Sequence, residues 1–156
     1  MKIYLDTSVI NVYLFGKFSE VEKERLPGVD KLFGLINTGD VSAIVSLYSI
    51  QEIYAFCGKT FSRDEAGHIA RLALSDLFAN RFELAGLLSR EERLLHRNRF
   101  IMSDLSDQPH AISAFINKCD AIITFDRHFR QNADLMPPFT PEEFIQFLSS
   151  VPKPSK

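Results

Sequence analysis

Two short apolar runs in this chain each lead to an aspartate. Residues 2–5 precede Asp6, and residues 121–124 end two positions before Asp126. Runs of this length, alternating with longer segments of helical periodicity, are typical of parallel strands in an α/β domain. If the two runs are neighbouring strands, both carboxylates lie at the carboxyl-terminal edge of one sheet, where open α/β folds bind their ligands.

The length and composition limit the number of domains. The chain has 156 residues, of which 46% are hydrophobic, and this is enough for one core of ordinary size. We predict a single domain over residues 1–150 and a disordered tail over residues 151–156. The pattern favours a three-layer α/β/α fold with a central, mostly parallel sheet of four to five strands, buried on both faces.

Turn and capping signals divide the chain into elements. The predicted strands cover residues 2–6, 41–46, 81–85 and 120–125. The predicted helices run through 12–14, over 29–37, from 47, over 62–80 and 90–102, and from 107 and 141. Capping boxes at 89–92 and 140–143 mark two of the helix starts. Pro27 and Gly28 predict a break before the helix at 29–37.

Charge and cysteine content exclude some classes of protein. A formal net charge of −2 and a pI near 6.1 give no overall signature of nucleic-acid binding, so any polyanion must be bound by local patches. Cys57 and Cys119 lack the spacing of a metal site and are predicted to be buried free thiols, which suits the cytoplasm. The sequence predicts neither a signal peptide nor a membrane-spanning segment.

Four acidic residues form the candidate catalytic site. Glu52 and Asp107 lie near the starts of predicted helices and can converge on the sheet edge that carries Asp6 and Asp126. Clustered carboxylates repel one another, so convergence predicts either a bound cation or raised pKa values. Oxygen ligands suit Mg²⁺ or Mn²⁺, and such ions promote phosphodiester hydrolysis. Asp120 is expected about 20 Å from Asp126, at the opposite end of the same strand.

Three of the four acids also have a purely structural interpretation, which stays open at this stage. Asp6 and Asp107 can serve only as N-caps of the helices that follow them, and Glu52 alone is typical of an exposed helix residue. Thr7 and Thr124 can orient a carboxylate or a water molecule at this edge, although strand-to-helix turns favour such hydroxyls in any case.

Several polar and basic residues near the acids are candidates for substrate contact. They are Asn11, His110, Arg127, His128 and Arg130. His110 lies one turn beyond Asp107 and can equally be a buried structural histidine. A second basic cluster lies along the helix predicted at 90–102 and is either a solvated face or a track for an RNA backbone. Its members are Arg90, Arg93, His96, Arg97 and Arg99.

The order and spacing of these motifs resemble those of the PIN-domain ribonucleases, which include toxins of the VapC type. Residues 4–10 resemble the family's first strand with its leading acid, and residues 45–52 resemble the segment that carries its glutamate. Residues 107–110 resemble its D-x-x-H helix, and residues 119–129 its x-D-x-x-x-T-x-D-x-x-F strand. The resemblance covers nearly the whole chain. The sequence departs from the family after the third acid, and Asp104 competes with Asp107 for that position.

The resemblance implies a PIN-like fold and a Mg²⁺- or Mn²⁺-dependent endoribonuclease acting on single-stranded RNA. It assigns the metal to Asp6, Glu52, Asp107 and Asp126, and it implies a toxin with an antitoxin partner and a homodimeric state. The alternative is a catalytically inactive PIN-like module that binds RNA or protein, because a fold does not guarantee its chemistry. A receiver-like phosphoacceptor domain is disfavoured, since the paired acids and the later lysine that it requires are not in place.

Overall fold

The computed structural model describes residues 1–151 and confirms the predicted class, with helices on both sides of a parallel sheet. The sheet has five strands in the order β3-β2-β1-β4-β5, and every neighbouring pair is parallel. The strands are β1 (Lys2–Leu5), β2 (Ser42–Ser46), β3 (Glu83–Ala85), β4 (Ala121–Ile123) and β5 (Pro138–Phe139). Because β1 pairs with β4, the two runs that lead to Asp6 and Asp126 are neighbours. The last five residues of the predicted tail, 152–156, lie outside the described residues.

Eight α-helices connect and cover the strands within residues 1–151. They are α1 (Thr7–Phe15), α2 (Glu20–Lys23), α3 (Leu26–Thr38), α4 (Leu47–Thr60), α5 (Arg63–Phe78), α6 (Arg90–His96), α7 (Gln108–Ile116) and α8 (Pro141–Ser150). A 3₁₀ helix spans Arg127–Asn132, directly after the strand that leads to Asp126. None of the helices in this range combines the length and apolar character needed to cross a membrane.

The sheet is buried on both faces, as the apolar strands predict. Ile3 and Leu5 of β1 enter a core that the helices α1, α3, α4, α5 and α8 cover. Tyr4, between them, enters a second core on the opposite face, together with Phe100, Phe129 and residues of α7. All three β1 side chains are 0% exposed. The central strand therefore delivers the residue that follows it, Asp6, to a fixed place at the sheet edge.

Two predicted boundaries are wrong for identifiable reasons. The helix α3 begins at Leu26 rather than at 29, because Pro27 occupies the first turn, where its missing N–H is not needed. The helix α6 ends at His96 rather than near 102. The side chain of Gln108 there donates to the carbonyls of Arg97 (3.0 Å) and Phe100 (2.7 Å), which satisfies backbone groups outside the helix.

The edge strand β5 lies where the sequence predicts the end of a loop. Pro138 cannot donate a backbone hydrogen bond, which makes it a weak signal for a strand. The strand still forms at the edge of the sheet, because the carbonyls of the residues on either side of Pro138 accept hydrogen bonds from the backbone N–H groups of Ile122 and Thr124. The pairing fixes the backbone of Thr124 beside the end of β1.

Candidate metal centre

Asp6 lies between the central strand and the helix α1. Its backbone N–H donates to the carbonyl of Ile123 (3.0 Å) and so continues the pairing of β1 with β4. Its carboxylate Oδ2 accepts hydrogen bonds from the hydroxyls of Thr124 (2.8 Å) and Ser8 (2.5 Å), and from the backbone N–H of Ser8 (3.3 Å). Asp6 therefore caps α1 and is held at the sheet edge by the same contacts.

Thr124 connects Asp6 with Asp126. Its buried hydroxyl donates to the carboxylate of Asp6 and accepts the backbone N–H of Asp126 (2.9 Å). Asp126 in turn accepts the backbone N–H of His128 through Oδ1 (2.8 Å), which starts the 3₁₀ helix. This geometry fits the orienting role that the sequence suggests for Thr124.

Asp107 precedes α7, but its carboxylate makes no capping hydrogen bond with that helix. The position of Asp107 is therefore not explained by an N-cap alone. Its Oδ2 atom is buried and has no hydrogen-bond partner among residues 1–151. The Nδ1 atom of His128 lies 3.4 Å from Asp107 Oδ2 and 3.3 Å from Asp126 Oδ1, so the two carboxylates face one imidazole nitrogen.

The electrostatic state of Asp107 reflects this crowding. Burial raises the pKa of its carboxyl from 3.8 to about 6, and the charges of Asp126, Asp6 and Asp104 contribute to the same increase. A carboxyl group surrounded by like charges resists ionisation. The raised pKa is the effect predicted for convergent acids, because three other carboxylates lie close enough to Asp107 to interact with it.

Glu52 reaches the same edge from α4. Its Oε2 atom accepts a hydrogen bond from the hydroxyl of Thr7, and its Oε1 atom lies 3.1 Å from Nε2 of His110. Burial raises the pKa of Glu52, but the hydrogen bond and charge of His110 and the hydrogen bond of Thr7 outweigh burial, so the pKa is lowered. Glu52 is thus kept ionised and is fixed in position by these contacts, unlike a free residue of a solvated helix face.

A buried hydrogen-bond chain stands behind Glu52. His110 is 1% exposed, which does not fit the predicted contact with substrate. Its Nδ1 atom lies 2.8 Å from the hydroxyl of Tyr4, which lies 2.6 Å from the hydroxyl of Ser46. Burial raises the pKa of Tyr4 and keeps its hydroxyl protonated. Burial lowers the pKa of His110, but its hydrogen bond to Glu52 and the neighbouring carboxylates outweigh burial, so the pKa is raised. The Nε2–H group of His110 donates to Glu52, and the hydroxyl of Tyr4 holds the Nδ1 side of the ring. The sequence gives no sign of this role, because a tyrosine in an apolar strand has the pattern of a core residue.

Tyr4→Phe is expected to destabilise the protein by about 1–3 kcal/mol, because it leaves the buried polar atoms of Ser46 and His110 without their partner. It should also weaken Mn²⁺ binding severalfold, since the ring of His110 loses the hydrogen bond that positions its Nε2–H group against Glu52. Chemical denaturation and Mn²⁺ titration test the two effects. The matched control is Tyr13→Phe, which removes a longer hydroxyl contact to Asn80 (3.2 Å) away from the acids. Equal Mn²⁺ affinity in both variants would contradict the assignment.

The remaining predicted residues surround the acids unevenly. Arg127 and Arg130 line a cavity beside Asp126, and Arg130 lies 3.5 Å from Glu143. Asn11 lines a different cavity with Ser8, and its Oδ1 atom is buried without a partner in the described part of the chain. Within the second basic cluster, Arg93 donates to the hydroxyl of Tyr48 (2.7 Å) and Arg99 lies over the ring of Phe115, and contact of this cluster with an RNA backbone stays a prediction.

The most compact group of potential ligands includes Asp104. Within residues 1–151, one atom from each of Asp104, Asp107 and His128 lies within 4.8 Å of the other two, and the four predicted acids do not form a group that compact. Thr124 stands between Asp6 and Asp126, and His128 stands between Asp107 and Asp126. The structure therefore brings the four predicted acids to one edge and adds Asp104 at its rim.

Comparison with known proteins identifies the architecture. No family model and no curated protein sequence matches this chain. A chain in the crystal structure of VapBC2 from Rickettsia felis, bound to a DNA fragment from their promoter, matches it with a TM-score of 0.58. The match covers 90% of this chain and 98% of that chain, at 16% sequence identity. The chain has a PIN-like fold. The fold that the sequence motifs imply is thereby confirmed. A match at 16% sequence identity supports the PIN-like fold alone.

The donor groups at the edge of the PIN-like sheet fit a hard divalent cation. All four predicted acids offer oxygen atoms, which are the ligands that Mg²⁺ and Mn²⁺ prefer. The buried Oδ2 atom of Asp107 has no hydrogen-bond partner in residues 1–151, and a cation would satisfy it. The cation would also offset the repulsion that raises the pKa of Asp107. The residues present are therefore compatible with one or more such ions.

Proposed function

We propose that this protein is a Mg²⁺- or Mn²⁺-dependent endoribonuclease that hydrolyses phosphodiester bonds in single-stranded RNA. The observation that carries the proposal is the state of Asp107. The Oδ2 atom of its carboxylate is buried and makes no hydrogen bond within residues 1–151, with Nδ1 of His128 3.4 Å away. Burial and the neighbouring acids raise the pKa of Asp107 to about 6. Such a concentration of negative charge is characteristic of sites that bind metal ions and act on phosphates.

The proposed metal ligands are Asp6, Glu52, Asp107 and Asp126. When bound, a divalent ion lowers the pKa of water and neutralises charge on the phosphate. The other residues hold the ligands in place: Thr124 orients Asp6 and the backbone of Asp126, while Thr7 and His110 orient Glu52. His128, whose side chain is 47% exposed beside Asp107 and Asp126, is suited to contact a phosphate oxygen.

We also propose that the enzyme is the toxin of a toxin–antitoxin pair. The similar structure, which supports this proposal, is that of a two-component complex, VapBC2. The proposed partners are an antitoxin protein and a second copy of this chain, and the proposed location is the cytoplasm. Free, buried Cys57 and Cys119 suit that reducing compartment.

The function is tested by incubating purified protein with a mixed pool of single-stranded RNA in Mg²⁺, Mn²⁺ or EDTA. We expect internal cleavage in both metals and none in EDTA, because the negatively charged carboxylates repel a phosphate unless a cation is bound between them. Asp126→Asn, purified in parallel, controls for contaminating nuclease and should be inactive. RNA binding without cleavage in any metal, by protein shown to be free of inhibitor, would favour the non-cleaving module instead.

A further inference from the structure

A cavity of about 500 Å³ opens directly beside the proposed metal ligands. Thr124 and Asp126 form the wall that it shares with the metal centre, and Phe125 lies between them in sequence. Cavities of roughly 300–1,000 Å³ are typical of sites for small organic groups. A group bound in this cavity would therefore lie next to a phosphate held at Asp126.

Arg25 forms a preorganised wall of the cavity. Its guanidinium carbon lies 4.6 Å from the centre of the Phe125 ring, and its Nη1 atom donates to both carboxylate oxygens of Glu22 at 3.0 and 3.3 Å. These contacts hold a planar cation over an aromatic ring at the cavity wall. Arginine planes and aromatic rings are the surfaces on which unpaired RNA bases stack.

The rest of the lining offers both donors and acceptors. The side chain of Arg127 is exposed and makes no hydrogen bond or ion pair with other residues in the range 1–151. Glu142 also lines the cavity, and its carboxylate packs against Gly28 of α3, where a Cβ atom would be 2.0 Å from Glu142 Oε1. Glycine at position 28 therefore lets this carboxylate occupy the cavity wall.

A cavity lined by arginines and carboxylates does not fit a phosphate alone, because the carboxylates repel it. It fits guanine. The N7 and O6 atoms of guanine accept hydrogen bonds from arginine, and its adjacent N1–H and N2–H groups can donate together to one carboxylate. Adenine, cytosine and uracil do not present two adjacent donors of this kind next to two such acceptors.

We propose that this cavity binds a guanine nucleotide of single-stranded RNA, next to the phosphate that is cleaved. Arg25 and Phe125 provide the stacking surface. Arg127 donates to the N7 and O6 atoms of the base, and Glu142 accepts hydrogen bonds from its N1–H and N2–H groups. The inference rests on the proposed function, because it takes the adjoining acids as the cleavage site. It adds a sequence preference that the arrangement of the acids does not specify.

The test measures, by fluorescence anisotropy, the binding of fluorescein-labelled heptauridylates in Ca²⁺, which takes oxygen ligands as Mg²⁺ does. Gel electrophoresis in parallel shows that the RNA stays intact during the measurement. The central uridine is replaced by guanosine, adenosine, inosine or 7-deazaguanosine. We expect guanosine to bind roughly tenfold more tightly than adenosine or uridine. Inosine, which lacks the N2 amino group, and 7-deazaguanosine, which lacks N7, should each lose most of this difference. Equal affinity for guanosine and inosine in the wild type would overturn the assignment, and this comparison needs no variant.

The protein variants locate the preference. Arg127→Ala should remove the preference for guanosine, whereas Arg71→Ala, at an exposed position of α5, should leave it unchanged. Retention of the full preference in Arg127→Ala would also overturn the proposal. Cleavage-site mapping in Mg²⁺ separates the two ideas. Cleavage without a guanosine preference refutes the cavity assignment alone, and guanosine-selective binding without any cleavage refutes the nuclease alone.

Discussion

Asp6→Asn should lower metal-dependent RNA cleavage by about a hundred- to a thousandfold, an effect of the size seen when one electrostatic group of an active site is removed. Asparagine keeps an oxygen that can accept the hydrogen bonds from Thr124 and Ser8, but it lacks the negative charge that a cation requires. The fold should therefore persist while cleavage fails. Cleavage rates in Mg²⁺ and the midpoint of thermal unfolding measure the two properties.

A second substitution and a matched control separate the two roles of Asp6. Asp6→Ala loses the cap of α1 as well as the charge, so it should cost a further 0.5–2 kcal/mol of stability, roughly. Asp120→Asn removes a carboxylate at the other end of the sheet, where Asp120 accepts the backbone N–H of Lys2 (2.8 Å), and cleavage should be unchanged. If Asp6→Asn cleaved RNA at the wild-type rate, Asp6 would not belong to the site.

Asp107→Asn should stabilise the metal-free protein at pH 8 and at the same time weaken Mn²⁺ binding. The folded state raises the pKa of Asp107 from 3.8 to about 6. The stability that protonated Asp107 contributes is therefore fully present below pH 3.8 and is lost as the pH rises through about 6. One pKa unit corresponds to about 1.4 kcal/mol, and solvent in the cleft screens the charge. We expect a net gain of about 1–2 kcal/mol from the neutral side chain.

Urea unfolding in EDTA at pH 5 and pH 8 measures this gain, which should be larger at the higher pH. Titration with Mn²⁺ should show affinity at least about tenfold lower for Asp107→Asn, and affinity of the wild type should fall as the pH drops below about 6, where Asp107 is protonated. A variant that is less stable than the wild type at pH 8 would show that Asp107 makes a structural interaction instead.

The position of the acids was predictable because it follows from backbone rules. Apolar strands that end at Asp6 and Asp126 pair in parallel, and their carboxyl ends meet at one edge. The capping box at Thr140 likewise fixes the start of α8 from local hydrogen bonds alone, and both of its bonds are present. Such features depend on residues close in sequence or on the direction of a strand, which the sequence pattern carries.

Contacts between distant side chains were not predictable in the same way. Tyr4 meets His110 only because α7 packs on the second face of the sheet, and Arg25 reaches Phe125 across 100 positions of sequence. No local pattern distinguishes these residues from an ordinary core tyrosine and a surface arginine. The early end of α6 has the same origin, since Gln108 satisfies carbonyls that a longer helix would have used.

The strand order also sets the order in which the four acids can come together as the chain is synthesised. The central strand β1 is translated well before its partner β4, which begins at Ala121 and is followed by Asp126. Contacts between such distant segments form late, because a long loop must close before they are made. A growing chain therefore carries three of the four acids without a complete cleft, and the proposed metal centre can assemble only after β4 and Asp126 have been added.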